Sequence, residues 1–513
     1  MEAAAVRPSV HGVSPEREPR GAYTVRPSVY GDSRRDTRMT IAPDRDTLDV
    51  ALRAAARPSA SFRGLRLPTH LDPDGLLDDV ARWGVTASYG RPDRTLSLVA
   101  VGEAGRAELG AGARGLSSLR TDAAELLDAT MEADVAALRP RLLGGISFAS
   151  AADGALLSAV DPERASPLVP WEGFGRGALL LPELLFVRDG GEIGVVLSPG
   201  VGVERLMELL PALEGRGGMK LNGVERVGMD VASDASDVRV ACDVDGARWL
   251  ASVARVASEV RDGLYEKAVL ATCRELVAES PIDRGRALRR LRTDYADCHL
   301  FSVTRGEVTF MGASPELLVS LADGELRALG LAGSAQRGVD AADDERRSRE
   351  LRSSAKDRIE HEIVVRAIRE ALLPASRWLR APNQPGLLRL RNIQHLATEV
   401  RGQVSSGVDV LDLVERLHPT PAVGGWPTER ALGVIAEHER FDRGWYAGPV
   451  GWIDAAADGE FAVALRSALV RGKRAWLFAG AGIMGDSEPA DELAEVELKF
   501  RPLVEALGLA SPV

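Results

Sequence analysis

The chain has 513 residues, of which 45% are hydrophobic and 27% charged, and its formal net charge at pH 7 is −11. This composition is typical of a globular protein that buries a large core, as one large domain or as two to three ordinary ones. The acidic balance argues against nucleic acid or an anionic membrane surface as the main partner.

The three cysteines, Cys242, Cys273 and Cys298, show no metal-ligand spacing, which argues against a zinc site and against a disulfide framework. No apolar run approaches the ~18–20 residues of a membrane span, and the N-terminus lacks the apolar core of a signal peptide. We therefore expect a cytoplasmic protein.

Residues 1–44 are rich in Arg, Pro, Ser and Gly and show no apolar periodicity. The segment Val-Arg-Pro-Ser-Val begins at Val6 and occurs again at Val25. We predict a disordered N-terminal tail over residues 1–44. Because Met39 stands just before the first ordered-looking sequence, residues 1–38 are expected to be dispensable.

Residues 45–248 alternate between strand-like and helical patterns, and we interpret them as the scaffold part of the domain. No cluster of catalytic groups is recognisable in them. Asp189-Gly190-Gly191 predicts a hairpin between the last two strands. The pattern predicts strands at residues 96–102, 144–149, 178–187 and 193–198, and helices at residues 123–138 and 247–262.

Residues 249–513 carry the candidate chemistry. One strand is predicted over residues 267–274, and another over residues 308–321 is broken at Gly312-Ala313-Ser314-Pro315-Glu316. Lys267 and Glu316 therefore stand at the ends of apolar runs, where catalytic groups are often placed and where ordinary surface charges also occur.

A helix is predicted over residues 353–373, because serines offer N-caps, strong helix formers fill its body and Pro374 ends it. At about 100° per residue, Glu360 falls on the apolar face with Ile363 and Val364. A carboxylate on a buried face is costly unless a basic partner or a metal ion compensates its charge. The pattern alone leaves both explanations open.

A second helix, predicted over residues 488–507, has the same exception. Glu492, Glu495 and Lys499 lie at i, i+3 and i+7 on one face. Pro502 is expected to kink or shorten this helix. Two helices with inward carboxylates favour a hard divalent cation such as Mg²⁺, which binds carboxylate oxygens, water and an anionic substrate.

A series of short segments in the second half occurs in an order that is specific as a set. They begin at Tyr265 (Tyr-Glu-Lys-Ala-Val-Leu-Ala), Phe310 (Phe-Met-Gly-Ala-Ser-Pro-Glu), Leu331 (Leu-Ala-Gly-Ser), Ser354 (Ser-Ala-Lys-Asp-Arg-Ile-Glu-His-Glu), Asn392 (Asn-Ile-Gln-His-Leu), His418 (His-Pro-Thr-Pro-Ala-Val-Gly-Gly), Tyr446 (Tyr-Ala-Gly-Pro-Val-Gly), Arg466 (Arg-Ser-Ala), Ala479 (Ala-Gly-Ala-Gly-Ile) and Glu495 (Glu-Val-Glu-Leu-Lys). Over residues 250–507 the chain thereby resembles the chorismate-utilising enzymes, and within them the isochorismate synthases. Residues 62–200 match more loosely.

The resemblance implies an α+β fold in which large antiparallel sheets pack face to face, with helices outside and the active site in a cleft between the halves. It also implies that Glu360 and Glu495 bind Mg²⁺, with Glu492 close by and acting through water. Glu360 and Glu495 are the carboxylates that the helical periodicity placed on buried faces.

The activity that the resemblance implies is an isomerase reaction, the Mg²⁺-dependent conversion of chorismate to isochorismate by water addition at C2 with loss of the C4 hydroxyl. Water is a poor nucleophile and hydroxide a poor leaving group, so a base and an acid are required. Lys267 resembles the base and must be neutral to act. Glu316 resembles the acid and must keep its proton near neutral pH.

The resemblance also implies a set of substrate contacts, Gly333, Ser334, His418, Tyr446, Arg466, Gly480, Gly482 and Lys499. Tyr446, Arg466 and the backbone N–H groups of the two later glycines are expected to bind the enolpyruvyl carboxylate. Lys499 is expected to balance negative charge. For His418, a structural role in its loop is the alternative.

Sibling activities are the main alternatives. Salicylate synthase shares Lys267, Glu316 and both metal ligands, and then eliminates pyruvate. Anthranilate synthase and aminodeoxychorismate synthase use ammonia and typically carry glutamine at the position of Lys267. Aminodeoxychorismate synthases often use a covalent lysine where this chain has Ala332, which forms no adduct.

The segment His-Pro-Thr-Pro-Ala-Val at residues 418–423 favours the plain isochorismate synthase. A catalytically inactive binding or regulatory subunit is the alternative from another class. We expect chorismate as the small-molecule partner, no nucleic acid, no membrane, no glutamine amidotransferase subunit, and a monomer or weak homodimer. Menaquinone, salicylate and catechol siderophores are the open destinations of the product.

Overall fold

The computed structural model describes residues 59–110, 115–132, 138–151, 169–214, 238–242 and 246–509. Within these ranges the chain forms two large sheets together with helices, and the predicted α+β class is confirmed. The predicted tail over residues 1–44 lies outside the described residues. Among the described helices, none is long and apolar enough to cross a membrane.

The larger sheet has thirteen strands, numbered in chain order together with those of the other sheet. In spatial order they are β10 (Val238–Cys242), β11 (Lys267–Ala278), β23 (Arg474–Ile483), β22 (Ser467–Arg471), β13 (Val308–Ser314), β12 (His299–Arg305), β2 (Val85–Arg91), β3 (Leu96–Val101), β8 (Leu184–Asp189), β9 (Glu192–Leu197), β1 (Phe62–Arg66) and β5 (Met131–Glu132), with β19 (Gly425–Trp426) paired to the start of β11. The pairing of β1 with β5 is parallel.

The smaller sheet has ten antiparallel strands. In spatial order they are β16 (Ser376–Arg380), β18 (Ile393–Val404), β15 (Glu325–Gln336), β14 (Leu317–Ala322), β21 (Gly459–Val463), β20 (Pro449–Asp454), β6 (Arg141–Ile146), β7 (Gly177–Leu181) and β4 (Gly105–Glu108), with β17 (Gly386–Arg389) paired to β18. Both sheets contain strands from the predicted scaffold part and from the predicted catalytic part of the chain.

The described α-helices are α1 (Val80–Trp83), α2 (Ser117–Leu127), α3 (Glu204–Leu213), α4 (Gly246–Arg261), α5 (Arg284–Asp294), α6 (Ala341–Ser353), α7 (Ala355–Leu372), α8 (Val410–Leu417), α9 (Thr428–His438) and α10 (Pro489–Ala506). Short 3₁₀ helices occur at Pro73–Asp79, Pro92–Arg94, Phe148–Ala151 and Leu373–Ala375.

Two apolar cores hold these layers together. One lies between the sheets, where Phe301 and Phe310 of the larger sheet join Trp452 and Phe461 of the smaller. The other lies on the opposite face of the larger sheet, where strand residues such as Leu270 pack against α4, α5 and α10. Burying apolar strand faces on both sides explains why the two sheets pack face to face with helices outside.

The helix that carries Glu360 forms as predicted. The side chain of Ser354 accepts a hydrogen bond from the backbone N–H of Asp357 at 3.2 Å and caps the start of α7. Pro374 lies in the 3₁₀ turn that follows. The C-terminal helix is also confirmed, but it continues through Pro502, so the expected shortening is wrong.

Several predictions in the first half are confirmed. The strand at residues 96–102 corresponds to β3, and the helix at residues 247–262 to α4. Asp189 pairs with Glu192 across Gly190 and Gly191, both of which have positive φ, as a tight hairpin requires.

Other predictions in the first half are wrong. The helix expected over residues 123–138 starts earlier, at Ser117, and ends at Leu127, because Met131 is drawn into β5 by pairing with β1. The strand expected over residues 178–187 is two strands separated at Pro182, β7 in the smaller sheet and β8 in the larger. The strand expected over residues 144–149 ends at Ile146.

Candidate functional site

A cleft with about 790 Å³ of empty space is lined by β11 and β23 of the larger sheet, β15 and β18 of the smaller sheet, and helices α7 and α10. It brings together most of the residues that the sequence singled out. These are Lys267, Glu316, Gly333, Ser334, Glu360, Tyr446, Arg466, Gly480, Gly482, Glu495 and Lys499. Glu492 and His418 do not line it.

Lys267 is the first residue of β11 and is almost completely buried, with 1% of its side chain exposed. Strand alternation turns Ala268 into the helix-side core and leaves Lys267 on the cleft side. Its Nζ lies 2.8 Å from Oε1 of Glu360. Burial raises the pKa of Glu360, but the charge of Lys267 and its hydrogen bond outweigh burial, so the net pKa is lowered.

Gly482 of β23 makes room for this ion pair. A Cβ added at Gly482 would lie 2.6 Å from Oε1 of Glu360 and 2.7 Å from Cε of Lys267. Any larger residue would displace one of the two charged groups. The glycine is therefore needed for the close approach of backbone to side chains.

Glu316 lies where the chain passes from β13 in the larger sheet to β14 in the smaller. Its backbone is fixed from both sides, since its N–H donates to Oγ of Ser314 at 3.2 Å and its carbonyl accepts from N–H of Val463 at 3.0 Å. Burial raises the pKa of the Glu316 carboxyl to about 8, against the opposing charges of Lys267 and Lys499. At neutral pH this group is mostly protonated and can donate a proton.

The other two predicted metal ligands also pair with lysines. Glu495 lies 2.7 Å from Nζ of Lys499, and Glu492 lies 3.0 Å from Nζ of Lys356. Burial and the neighbouring charge of Glu495 raise the pKa of Glu492. The two carboxylates are thus close enough to repel each other, and each is neutralised by its own lysine.

No group of three or more His, Cys, Asp or Glu side chains within the described ranges is arranged to hold a metal ion by protein ligands alone. The donor set nevertheless fits a hard divalent cation. Glu360 and Glu495 supply carboxylate oxygens from two different helices that line the cleft. Mg²⁺ typically uses one or two carboxylates and completes its shell with water and substrate oxygens.

Arg466 supplies an uncompensated positive charge to the cleft. It is buried, and its Nη1 has no hydrogen-bond partner among the described residues. Nη2 lies 3.2 Å from Nε2 of His395, and burial lowers the pKa of Arg466. The backbone of Arg466 has φ of +46°, a strained conformation that costs free energy for a non-glycine residue. A buried guanidinium without a carboxylate partner is suited to bind an anionic ligand.

His395 orients Ser334. Burial and the nearby charges of Arg466 and Lys499 hold the pKa of His395 well below its usual value, so the ring is neutral. Because arginine can only donate, Nε2 accepts and the ring proton resides on Nδ1. Nδ1 lies 2.9 Å from Oγ of Ser334 and donates to it, which leaves the Ser334 hydroxyl proton free to donate into the cleft.

The strand pairing exposes the N–H groups of Gly480 and Gly482. Val269 and Ala271 of β11 lie opposite these glycines in the register. Their own N–H groups point to the other edge of β11, where they donate to the carbonyl of Gly424 and to the carboxylate of Glu439. Both pairs are therefore of the non-hydrogen-bonded kind, in which the glycine N–H groups point away from β11. These N–H groups therefore point to the β22 side of β23, at positions beyond the end of β22.

Two further predicted residues are placed by packing and backbone conformation. The ring of Tyr446 stacks on that of Phe478 at a centroid distance of 5.2 Å, and burial raises the pKa of its hydroxyl. Gly333 forms a bulge in β15 between Ala332 and Ser334 with φ of +74°. A Cβ there would lie 2.9 Å from Cβ of Asp357, so the bulge lets α7 approach the cleft.

His418 lies outside the set of residues that line the cleft. It is buried, its Nε2 donates to the carbonyl of Phe148 at 3.0 Å, and burial lowers its pKa to about 4. This neutral histidine ties its loop to the segment after β6, as the structural alternative expects.

Sequence reasoning missed His395 and Arg443, which both line the cleft. His395 lies in the segment that begins at Asn392, and Arg443 lies three residues before the segment that begins at Tyr446. The roles of both depend on contacts between distant elements. The available signal was a polar residue in an otherwise buried stretch. The assembled cleft holds an amine, a neutral carboxyl and a free guanidinium, and it can transfer protons on a small anionic substrate.

Comparison with known proteins agrees with this geometry. The pattern of the "Chorismate binding enzyme" family matches residues 68–508. A "Salicylate biosynthesis isochorismate synthase" of Pseudomonas aeruginosa is 39% identical over 385 residues, 74% of this chain and 76% of that protein. An "Isochorismate synthase MenF" of Bacillus subtilis is 37% identical over 379 residues, 72% of this chain and 75% of that protein.

Among solved structures, the fold is similar to that of MenF, the menaquinone-specific isochorismate synthase from Escherichia coli. The TM-score is 0.69 at 24% identity, with 90% of this chain and 98% of that chain covered. This likeness supports the fold alone.

Proposed function

The chain belongs to the chorismate-binding enzyme family, and we propose that it is an isochorismate synthase. It converts chorismate to isochorismate by adding water at C2 and removing the hydroxyl at C4. The observation that carries this proposal is the placement of Lys267 and a protonated Glu316 on one cleft beside the free guanidinium of Arg466. The names of the relatives support the same activity.

In the proposed reaction the amine of Lys267, after it has given up the proton of its ion pair with Glu360, takes a proton from the attacking water while the oxygen of that water bonds to C2. The ring double bond shifts, the bond from C4 to its hydroxyl breaks, and Glu316 supplies the proton that turns the leaving hydroxide into water. One water is consumed and one released, so the net reaction is an isomerisation. The raised pKa of Glu316, about 8, suits it to this role.

Chorismate carries two carboxylates, and the cleft offers separate groups for them. We propose that Arg466 binds the enolpyruvyl carboxylate together with the exposed N–H groups of Gly480 and Gly482. Ser334, whose hydroxyl proton is free to donate, and Tyr446 line the same cleft. Lys499, which donates from Nζ to the carbonyl of Gly480 at 2.7 Å, adds positive charge.

We propose Mg²⁺ as the divalent cation, held by Glu360 and Glu495, with Glu492 acting through water. When bound, the ion supplies positive charge for the ring carboxylate and offsets the negative charge of Glu360 beside Lys267. The three lysines that pair with these glutamates balance the same charges in the absence of the ion.

We propose water rather than ammonia as the nucleophile, so the enzyme acts without a glutamine amidotransferase subunit. Lys267 is the basis for this choice, since ammonia attacks without a general base. Purified protein incubated with chorismate and Mg²⁺ in ¹⁸O-labelled water should give isochorismate with the label at C2. Anthranilate in the presence of ammonium, or salicylate and pyruvate formed at the rate of chorismate loss, would assign a sibling activity instead.

A further inference from the structure

A buried ion pair, Glu439 with Arg443, occupies a gap along one edge of β11. On that edge, β19 pairs only with Lys267 and Ala268, and β10 pairs only from Glu275 onward. Between them, no strand among the described residues pairs with β11 on this side. The gap begins after Ala268, the residue next to Lys267.

The ion pair fills this gap with hydrogen bonds that a strand would otherwise make. Nη2 of Arg443 donates to the carbonyl of Val269 at 2.9 Å, and Oε1 of Glu439 accepts from the N–H of Ala271 at 2.7 Å. The two side chains also bind each other, with Nε of Arg443 donating to Oε2 of Glu439 at 2.8 Å. Each side chain is only 4% exposed.

Arg443 also contacts a second segment that lines the cleft. Its Nη1 donates to the carbonyl of Val423, a residue that lines the cleft in the turn before β19. Its guanidinium packs over the ring of Phe148 at 4.2 Å. Every nitrogen of the guanidinium therefore has an acceptor, so this arginine is engaged with protein and differs in this respect from Arg466.

We propose that Glu439 and Arg443 are positioning residues that set the place of Lys267 for proton transfer. The inference rests on the proposed function. The ion pair fixes the backbone two and four residues after Lys267 and ties it to the turn at Val423. A misplacement of about 1 Å at a reacting group lowers the rate on the order of 10²-fold. The proposed contacts between Arg466 and the substrate carboxylate do not involve this ion pair and should remain.

The planar fork of arginine is required for this role. It reaches two carbonyls and one carboxylate at once, whereas the ammonium of lysine is a compact charge on a flexible stem. Arg443→Lys therefore keeps the charge and loses the geometry. We expect kcat to fall on the order of 10- to 100-fold with KM changed by less than about threefold.

Arg188→Lys is the matched control. Arg188 pairs with the buried Asp74 at 3.0 Å, distant from the residues that line the cleft. This substitution should lower the melting temperature and leave kcat unchanged. Amide exchange of the segment from Ala268 to Arg274, measured by mass spectrometry, should be at least about tenfold faster in R443K than in wild type and unchanged in R188K.

The inference is overturned if R443K exchanges this segment at the wild-type rate, or if it keeps its kcat while only its melting temperature falls. A raised KM with unchanged kcat would also overturn it, since Arg443 would then bind substrate. If R443K does not fold, E439Q takes its place, with the same segment expected to exchange faster. Because exchange is read without turnover, a wild-type protein inactive on chorismate would refute the proposed function alone.

Discussion

Replacing Glu316 with glutamine should make the protein more stable, and more so at higher pH. Because burial raises the folded-state pKa of Glu316 from 4.5 to about 8, the folded chain keeps a proton that the unfolded chain loses above about pH 4.5. The contribution of Glu316 to the stability of the wild type is thus greatest below pH 4.5 and falls until about pH 8. At 1.36 kcal/mol per pKa unit, the loss between about pH 5 and about pH 7.5 is about 3 kcal/mol.

Glu316→Gln removes this titration, so its stability relative to wild type should rise by about 3 kcal/mol over the same interval. An unfolding entropy of about 2.1 cal/mol/K per residue gives about 1 kcal/mol/K for 513 residues, and hence a change of about 3 °C in the difference of melting temperatures. Differential scanning calorimetry of both proteins at the two pH values measures it. An equal difference at both pH values would refute the raised pKa.

Asp344→Asn is the control for this experiment. Hydrogen bonds from the side chain of Arg337 and the backbone N–H of Gly338 lower the pKa of Asp344 to about 2. Between about pH 5 and about pH 7.5 it is mostly ionised in both folded and unfolded chains. Its substitution should therefore change the melting temperature by the same amount at both pH values.

Four further substitutions test the cleft. Lys267→Ala should lower kcat by a factor on the order of 10²–10⁴, as expected for a lost general base, with a smaller effect on KM; an unchanged kcat contradicts its role. Glu360→Gln and Glu495→Gln should each abolish the Mg²⁺-dependent activity. Calorimetry should show the larger loss of stability for Glu360→Gln, because this substitution leaves Lys267 buried and unpaired. Full turnover in EDTA contradicts the metal assignment. Gly482→Ala should lower kcat with secondary structure retained in circular dichroism, because its Cβ would collide with Glu360 and Lys267.

Helix α7 was predictable because its signals are local. A serine cap, helix-forming residues and a following proline are contained in the segment itself, and the misplaced acid Glu360 stood out against its apolar face. The lysine that pairs with Glu360 was not predictable. Lys267 is 93 residues away in the chain, and only the packing of α7 against the end of β11 brings the two together.

The strands that change sheets show the limit of sequence patterns most clearly. The apolar patterns of residues 178–187 and 308–321 correctly indicate strands. Each segment, however, contains a proline at which the chain leaves one sheet and enters the other. Alternation of side chains indicates a strand but does not indicate its neighbours. For the same reason the role of Arg443 was not predictable, since it depends on which strands pair with β11.

The interleaving of early and late strands has a consequence for synthesis of the protein. In the larger sheet β2 pairs directly with β12, and Ser88 bonds to Ser302 across a separation of 214 residues. At about 5–20 residues per second, a ribosome needs on the order of 10–40 s to make the partner of β2. During that interval the apolar N-terminal strands are present with an open edge, which is the condition under which nascent chains pair wrongly. Soluble production should therefore improve when a chaperone covers these strands until His299–Arg305 has left the ribosome.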